Sequence, residues 1–445
     1  MQKIHSKRGI DFRIRGWPGE RLIELDDPDR VAVPVDKLPV AKAGLLVKPG
    51  DRVRLGSVLF ADKKRPWLKF LSPGAGRVSQ INYGPRRVIK ELVIDLDGDE
   101  KYVDFERFSL AGLRAAGRRE IVDAIVAGGL WWALRRLPFR DVPDPDVVPP
   151  QILVGLAAKE PFSPLVELVL RDDPDLLRTG IEILEKLAPK VIVYTHADNH
   201  EVLRTAGDVV NLVVDGRYPA DDPATVLYRT KQSASENRSW YIDYQDLLLV
   251  AGLLTTGRLP TRRIFAVGGT RAPSRVHFRS RLGVPVSHLV DIRAIEAGSR
   301  LIAGGILRGY SLEPDGFMGI FETGLAVLPA NREAEFLALF RPGFNRPTNS
   351  RAFASRLRRR ELEYDCGRQG PERACISCMY CADVCPVDIL PQMLYKAILA
   401  QEVEEYLAHG LLDCVRCGLC SYVCPSKIEL TENFEKAKME YARQQ

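Results

Sequence analysis

The sequence predicts a multidomain α/β protein that ends in a small helical module. The chain has 445 residues, of which 46% are apolar, enough for about three domains that each bury a core. Short apolar segments between Gly and Pro turns fill the first hundred residues, and from residue 117 helical and strand patterns alternate. All nine cysteines lie after residue 365, so the C-terminal module differs chemically from the rest.

Composition narrows the class of function. Lys and Arg number 64 and Asp and Glu 58, which leaves a formal charge of +6, far below the basic excess of a nucleic-acid-binding protein. The N-terminus has no apolar segment of the secretory kind, so we expect a cytosolic chain. The longest apolar run, Leu247 to Leu254, is much shorter than the ~18 residues that cross a bilayer. Any membrane association is expected to be peripheral or through partner subunits.

Residues 1–110 are predicted to form a β barrel-sandwich domain. The stretches 47–60 and 72–78 alternate short apolar strands with Gly and Pro turns. The pattern resembles a lipoyl-type barrel-sandwich hybrid, and Lys63 and Lys64 stand near the place of a lipoyl lysine. Because lysine-rich turns are common, we interpret both as solvated loop charges.

Residues 111–256 are predicted to form a Rossmann-like α/β domain. Apolar runs at 151–155 and 191–194 indicate strands, whereas 179–188 and 240–256 have helical patterns. Such alternation is typical of a parallel sheet with helices on both faces.

The next segment, residues 257–310, is strand-rich and looks like a β-grasp module of the soluble-ligand-binding (SLBB) type. Residues 311–360 form a linker with a basic segment, 351–360, that holds five arginines. We interpret this basic segment as a solvated linker. The alternative is that it docks an acidic redox protein or anionic lipid.

Eight of the nine cysteines form two copies of one motif, Cys-x2-Cys-x2-Cys-x3-Cys-Pro. The first copy contains Cys375, Cys378, Cys381 and Cys385, and the second contains Cys414, Cys417, Cys420 and Cys424. Three thiolates spaced two residues apart on one curled loop can reach three irons of a 4Fe-4S cube, and the remote fourth cysteine then serves the other cluster. Zinc is the alternative, but its four ligands normally come as two separated pairs.

The crossed assignment predicts two 4Fe-4S clusters. The ligands of one would be Cys375, Cys378, Cys381 and Cys424, and those of the other Cys414, Cys417, Cys420 and Cys385. Cys366 is left over, either as a free thiol or as a substitute ligand. The proline after each fourth cysteine fixes its own φ and helps turn the chain away from the cluster.

Between the two motifs, residues 386–413 show apolar residues at helical spacing. After the second motif, Ser426 and Glu429 have the spacing of a capping box that would open a C-terminal helix. These patterns favour an all-helical two-cluster ferredoxin domain over residues 361–445.

The order of these domains resembles the RnfC subunit of the Rnf ferredoxin:NAD oxidoreductase. Several stretches look more like the NqrA family, a subunit of the sodium-pumping NADH:quinone oxidoreductase: 51–56, 59–64, 128–135, 241–246 and 280–283. The resemblance covers essentially the whole chain. It implies that most NqrA chains have lost these cysteines, so this chain looks like an NqrA-type body with an RnfC-type cluster module.

One departure from the RnfC-like pattern concerns flavin. In those subunits the resemblance implies an FMN and nicotinamide site on a run like Gly-Gly-Ala-Gly-Phe-Pro-Thr and on a later Glu-Cys-Glu-Pro, because glycines let backbone amides approach phosphate. Here the matching stretches are 128–133, with Trp131 and Trp132, and 157–161, where the first acid is absent. We therefore expect no FMN.

Two functions compete. The first is an electron-transfer subunit of a membrane-associated Nqr/Rnf-type complex, peripheral on the cytoplasmic face of the inner membrane, with integral membrane subunits and a soluble ferredoxin-like or flavin-containing protein as partners. The second is a stand-alone flavin-dependent NADH dehydrogenase or cobalamin-reductase-like enzyme. The second function needs a working flavin pocket, so Trp131 and Trp132 favour the first.

Overall fold

A computed structural model describes residues 1–330, 343–344, 346–358 and 360–444. The predicted linker 311–360 therefore lies partly outside the described residues, as does Arg359 of the basic segment. We call residues 1–330 the body and residues 374–444 the cluster module.

The first part of the body is a barrel-sandwich of two antiparallel sheets. Four strands form one sheet in the order Arg30–Pro34, Ile89–Leu96, Gly76–Tyr83 and Arg52–Val53. Three strands form the other in the order Ala43–Leu45, Val58–Asp62 and Lys69–Leu71. Phe60 and Phe70 stack across the second sheet with ring centroids 4.9 Å apart, so aromatic cross-strand packing closes this small core.

Two N-terminal segments of the predicted domain 1–110 pair with sheets that lie outside it. The strand Gln2–Ser6 pairs in parallel with Leu212–Gly216, and the strand Leu22–Glu24 pairs with His277–Arg281. Both segments add an edge strand to a distant sheet and satisfy backbone groups that would otherwise be unpaired. Pairing at that sequence distance leaves no local signal in the chain.

The third sheet of the body is parallel except at one edge. Its strand order is Gln2–Ser6, Leu212–Gly216, Val191–His196, Ile152–Leu156, Trp240–Asp243 and Arg135–Arg136. The central strand residues Ile152, Leu153 and Val154 are fully buried, as expected for a parallel strand that is covered on both faces.

Helices accompany this sheet at Leu110–Ala115, Arg118–Ala127, Val166–Leu170, Pro174–Leu187, His200–Ala206, Pro223–Thr230 and Tyr244–Thr256. The helix predicted over 240–256 is wrong in its first four residues, which form a strand. Asp243 ends that strand and accepts a hydrogen bond from the amide of Gln245, so it caps the helix that follows. Gly180 lets two helices approach closely, because a Cβ there would lie 2.7 Å from Leu247.

A fourth sheet lies in the rest of the body, next to the short helix Val286–Leu289. Its strand order is Tyr310–Leu312, Ser299–Ala303, Gly324–Pro329, Arg262–Gly268, His277–Arg281 and Leu22–Glu24. Strands on both sides of residues 257–310 in sequence complete this sheet, and the bounds of the predicted module stay a prediction. The finer Rossmann-like and β-grasp assignments stay predictions.

The cluster module is helical, as predicted, with helices at Tyr380–Asp383, Pro391–Leu399, Val403–Ala408, Leu419–Val423 and Leu430–Gln444. The capping box predicted at Ser426 is wrong. The Ser426 hydroxyl donates to the carbonyl of Ala374 at 2.8 Å, and the C-terminal helix begins only at Leu430. Ser426 thus joins the two motif copies and does not open a helix. None of the helices in the described ranges is both long and apolar enough to cross a bilayer.

Candidate metal centre

The eight motif cysteines lie in two groups. The outer group lines one small cavity and consists of Cys375, Cys378, Cys381 and Cys424. The inner group consists of Cys385, Cys414, Cys417 and Cys420, whose thiols interact with one another electrostatically. Each group thus draws three thiols from one motif copy and the fourth from the other copy.

The two motif copies repeat their backbone conformation. Ser377 and Arg416, each just before the second cysteine of its copy, both have φ 53°. Met379 and Gly418, just after that cysteine, have φ values of 62° and 82°. Positive φ at two such positions curls each loop so that neighbouring thiols point to a common centre. The third cysteine of each copy then lies in a short helix that begins directly after the curl.

The loops that carry the two groups differ in the exposure of the residues between the cysteines. Ile376 and Met379, which lie between the outer cysteines, are 67% and 48% exposed. Val415 and Leu419, which lie between the inner cysteines, are 2% and 0% exposed. At Gly418 an added Cβ would lie 2.9 Å from the Cβ of Leu307, so the inner loop packs closely against the body at this residue. Met379 has the same place in the first motif copy, and there the outer loop faces solvent.

Burial makes the thiols weak acids. It raises the pKa of Cys381 to about 11 and that of Cys385 to about 12, and it raises the pKa of Cys420 well above its usual value. Iron binds the thiolate, so loading of the site has to release these protons. The donor set, four thiols in each of two groups, fits the 4Fe-4S cluster, which is held by four cysteine thiolates.

No three His, Cys, Asp or Glu side chains in the described part of the chain converge as a site for a single metal ion. In a 4Fe-4S cube each thiolate binds a different iron, so the four ligands of one cluster do not share a single coordination sphere.

Side chains of the body donate hydrogen bonds to backbone carbonyls of the loop that carries the inner group. Tyr218 donates its hydroxyl to the carbonyl of Cys417 at 3.0 Å, and Arg140 donates to the carbonyl of Val415 at 3.2 Å. Arg140 and Arg308 both pair with buried Asp222, at 2.6 and 2.8 Å. Burial alone would raise the pKa of Asp222, but the two guanidinium groups outweigh it and hold the pKa below its usual value.

Further ion pairs join the same two parts of the chain. Asp388, in the turn after Cys385, pairs with Arg229 at 2.8 Å and with Arg8 at 3.3 Å. Asp413, just before Cys414, pairs with Lys231 at 2.7 Å. Both carboxylates lie close in sequence to cysteines of the inner group, so these ion pairs connect the body to the module around that group.

Two buried lysines were missed by the sequence analysis. Lys438 is 2% exposed and donates to the carbonyls of Cys414 at 2.7 Å and Leu412 at 3.2 Å. Lys427 is 7% exposed, lies over the ring of Phe353 and interacts electrostatically with Cys424. A signal for Lys438 existed, because it follows Phe434 by four residues and so falls on the apolar face of its helix.

The basic segment is partly used within the chain. Arg351 pairs with Asp383 at 2.7 Å and lies over the ring of Tyr380. This arginine therefore supports the short helix that carries Cys381.

Trp131 and Trp132 lie in the core of the body. Trp131 makes an edge contact with Trp240 and donates to the carbonyl of Pro143 at 2.9 Å. Trp132 packs edge-on against Phe321. The glycines that precede them serve this packing, because a Cβ on Gly128 or Gly129 would lie 2.2 and 2.4 Å from the side chains of Leu253 and Leu71, respectively. Gly128 and Gly129 therefore face apolar side chains.

A cavity of about 610 Å³ opens beside the inner loop. Its lining includes Arg300, Arg308, Cys366, Arg416 and Tyr422. Cys366 belongs to neither cysteine group; its amide donates to the carbonyl of Pro329 at 2.9 Å.

Three family descriptions match successive parts of this chain. "NqrA N-terminal barrel-sandwich hybrid domain" matches residues 4–97, "NqrA second alpha/beta domain" matches 116–259, and "4Fe-4S dicluster domain" matches 374–428. Together with the two cysteine groups, they define the class: an iron–sulfur protein with a barrel-sandwich and α/β body.

The curated relatives narrow the class to a family. The NqrA subunit of the Na(+)-translocating NADH-quinone reductase of Saccharophagus degradans is 32% identical over 431 residues, which cover 96% of each chain. The same subunit of Pseudomonas aeruginosa is 31% identical over 98% of this chain and 100% of the relative. The chain belongs to this family of NqrA subunits, which confirms the resemblance to NqrA. Among solved structures, an NAD+-reducing NiFe-hydrogenase in the H2-reduced state matches 78% of this chain and 67% of that chain at 13% identity and a TM-score of 0.35.

Proposed function

We propose that this chain is an electron-transfer subunit of an Nqr-type NADH:quinone oxidoreductase complex. The observation that carries the proposal is the arrangement of eight thiols as two crossed groups of four in a chain of the NqrA family. Bound 4Fe-4S clusters would supply one-electron transfer. The chain has no need of a substrate pocket for that role.

The proposal assigns the ligands as follows. The outer group would hold one cluster through Cys375, Cys378, Cys381 and Cys424. The inner group would hold the other through Cys385, Cys414, Cys417 and Cys420. Leu419 of the module and Tyr218 of the body, both buried, cover part of the inner group, whereas Ile376 and Met379 beside the outer group are exposed.

The outer group faces a surface suited to a redox partner. Ile376 and Met379 form its apolar centre. The neighbouring Arg373 donates to a carbonyl and Lys396 to a hydroxyl, and neither forms an ion pair with a described residue. An apolar centre with a polar rim is the usual anatomy of a transient protein interface. We propose a soluble ferredoxin-like or flavin-containing protein there and integral membrane subunits as the other partners, with the chain peripheral on the cytoplasmic face of the membrane. Nucleic acid has no place in this proposal.

We also propose that the isolated chain binds no FMN. The apolar packing of Gly128 and Gly129 and the buried indoles of Trp131 and Trp132 support this, because backbone amides at this run do not face an open phosphate site. Stoichiometric FMN in an acid extract of the pure chain would instead favour the stand-alone flavin-dependent NADH dehydrogenase.

Metal analysis and electron paramagnetic resonance of the purified chain test the ligand assignment. About eight irons per chain are expected for two 4Fe-4S clusters, and stoichiometric zinc would exclude them. Replacing Cys385 by Ser should remove mainly the signal of the cluster held by the Cys414 loop. Loss of the other cluster's signal would show that the groups are not crossed.

A further inference from the structure

Two buried lysines set the cluster module apart from the body. Of the lysines that the structure describes, Lys427 and Lys438 are the two that are buried, and both lie in the module. The ammonium of Lys438 has three oxygen partners, all backbone carbonyls: Cys414 at 2.7 Å, Leu412 at 3.2 Å and Pro138 at 3.4 Å. Each lysine stands beside a different cysteine group.

Neither lysine forms an ion pair with a carboxylate among the described residues. Buried cations of the body do: Arg281 pairs with Asp27 at 2.9 Å, and Arg263 pairs with Asp246. Other cations near the inner group are matched as well, since Arg140 pairs with Asp222 and Arg416 with Glu435. Burial of an ammonium that has only neutral partners is strongly unfavourable. In the described part of the chain, both lysines are therefore buried without an ion-pair partner.

Four thiolates supply such a partner once iron is bound. A cluster held by four thiolates carries net negative charge, and reduction adds one more. A fixed cation inside the protein stabilises the reduced form more than the oxidised form, because solvent screens their interaction only weakly. The cation should therefore raise the reduction potential of the cluster next to it.

We propose that Lys438 and Lys427 are internal counter-charges, one for each cluster, that raise the reduction potential of the group beside them. Lys438 serves the inner group through its hydrogen bond to the carbonyl of Cys414, and Lys427 serves the outer group, because its amide donates to the carbonyl of Cys424 at 3.3 Å. This inference rests on the proposed function, since it needs both clusters. Both lysines would act on the clusters through their positive charge, without binding iron.

Redox titration of the purified full-length chain, followed by electron paramagnetic resonance, tests the proposal. In Lys438→Met the one-electron reduction equilibrium of the inner cluster should fall at least about tenfold, a downward shift of about 59 mV for a one-electron couple, with the outer cluster unchanged. Lys427→Met should do the converse. Lys436→Met is the matched control, because Lys436 lies on the same helix, is exposed and pairs with Glu432.

A merely structural role predicts a different pattern. If Lys438→Met and Lys427→Met lower thermal stability but leave both potentials as in the wild type, the counter-charge role is wrong. Lys438→Arg keeps the charge and should keep the potential. Loss of inner-cluster iron in Lys438→Met with retention in Lys438→Arg would also support the role, whereas loss in both would contradict it. A wild-type chain that binds no iron after reconstitution would instead overturn the proposed function itself.

Discussion

The body and the cluster module are stabilised in different ways. In the body the most deeply buried side chains are large and apolar, such as Phe265, Trp240 and Leu247. In the module the apolar core around Leu394 and Phe434 also contains four of the cysteines, and half of each thiol group comes from the core itself. Apolar burial therefore dominates the core of the body, whereas the module places part of its candidate ligands inside its core.

Charge follows the same division. The buried arginines Arg263 and Arg281 of the body are matched by carboxylates, whereas no carboxylate in the described part of the chain forms an ion pair with Lys427 or Lys438 of the module. The comparison teaches that the body balances its buried positive charges with its own side chains, whereas the module carries buried positive charge next to its cysteines.

The largest expected effect comes from removing an inner thiol. Cys417→Ser should lose roughly half of the bound iron and should expose the module to proteolysis, because Cys417 is buried at the contact with Tyr218. The body should keep its folded core. Iron analysis and limited proteolysis check this, and Cys366→Ser, outside both groups, is the control. Loss of the body's protease resistance together with that of the module would contradict the division.

A cavity in the body should do the reverse. Leu247→Ala removes a fully buried side chain that packs against Gly180, so unfolding of the body should become easier by about 2–5 kcal/mol. The iron content of the module should not change. Chemical denaturation followed by tryptophan fluorescence measures the first quantity, since Trp131, Trp132 and Trp240 all lie in the body. Leu110→Ala, at a residue that is 54% exposed, should have little effect.

The contact between the two regions should respond to loss of one anion. Asp222→Asn leaves Arg140 without its carboxylate partner, while Arg308 keeps Glu160. We expect the contact between the inner loop and the body to lose about 1–3 kcal/mol of stability. Amide hydrogens of the inner loop, residues 414–420, should then exchange faster. Hydrogen exchange read by mass spectrometry checks this. Asp215→Asn, whose partners Lys3 and His5 are both exposed, is the control, and equal exchange in both variants would argue against this contact.

The smallest effect is the acid sensitivity of the body. His277 donates to the carbonyl of Gly19 and accepts from the amide of Leu165, and burial lowers its pKa from the ordinary 6.5. Below about pH 6.5, His277 therefore binds a proton more readily in the unfolded chain than in the folded chain. The free energy of unfolding should fall as pH drops from 6.5, by at most about 1.4 kcal/mol per pH unit.

Denaturation at pH 7 and pH 5.5 measures this loss. His277→Gln should show a smaller dependence on pH than the wild type, and His5→Gln, at an exposed residue, should show the same dependence. If the free energy of unfolding of the body is the same at both pH values, the predicted contribution of His277 is wrong.

The sequence predicts most of the fold because its signals are local. The repeated cysteine spacing and the helical periodicity between the copies mark the module, and Gly and Pro turns mark the barrel-sandwich. The strands Gln2–Ser6 and Leu22–Glu24 were missed because each pairs with a sheet far along the chain. Lys438 was missed because a lysine at an apolar helical position is normally taken as exposed. Which thiols bind which cluster stays a prediction.

The close fit of Gly418 against Leu307 bears on when the inner cluster can be inserted. Cys417 is 8% exposed where the inner loop lies against the body, and Val415 and Leu419 beside it are buried. If the proposed cluster is assembled at this group, we expect its insertion to be faster before the inner loop closes on the body than afterwards. A chain that closes without its cluster would then have to open this contact again before the inner cluster could be restored.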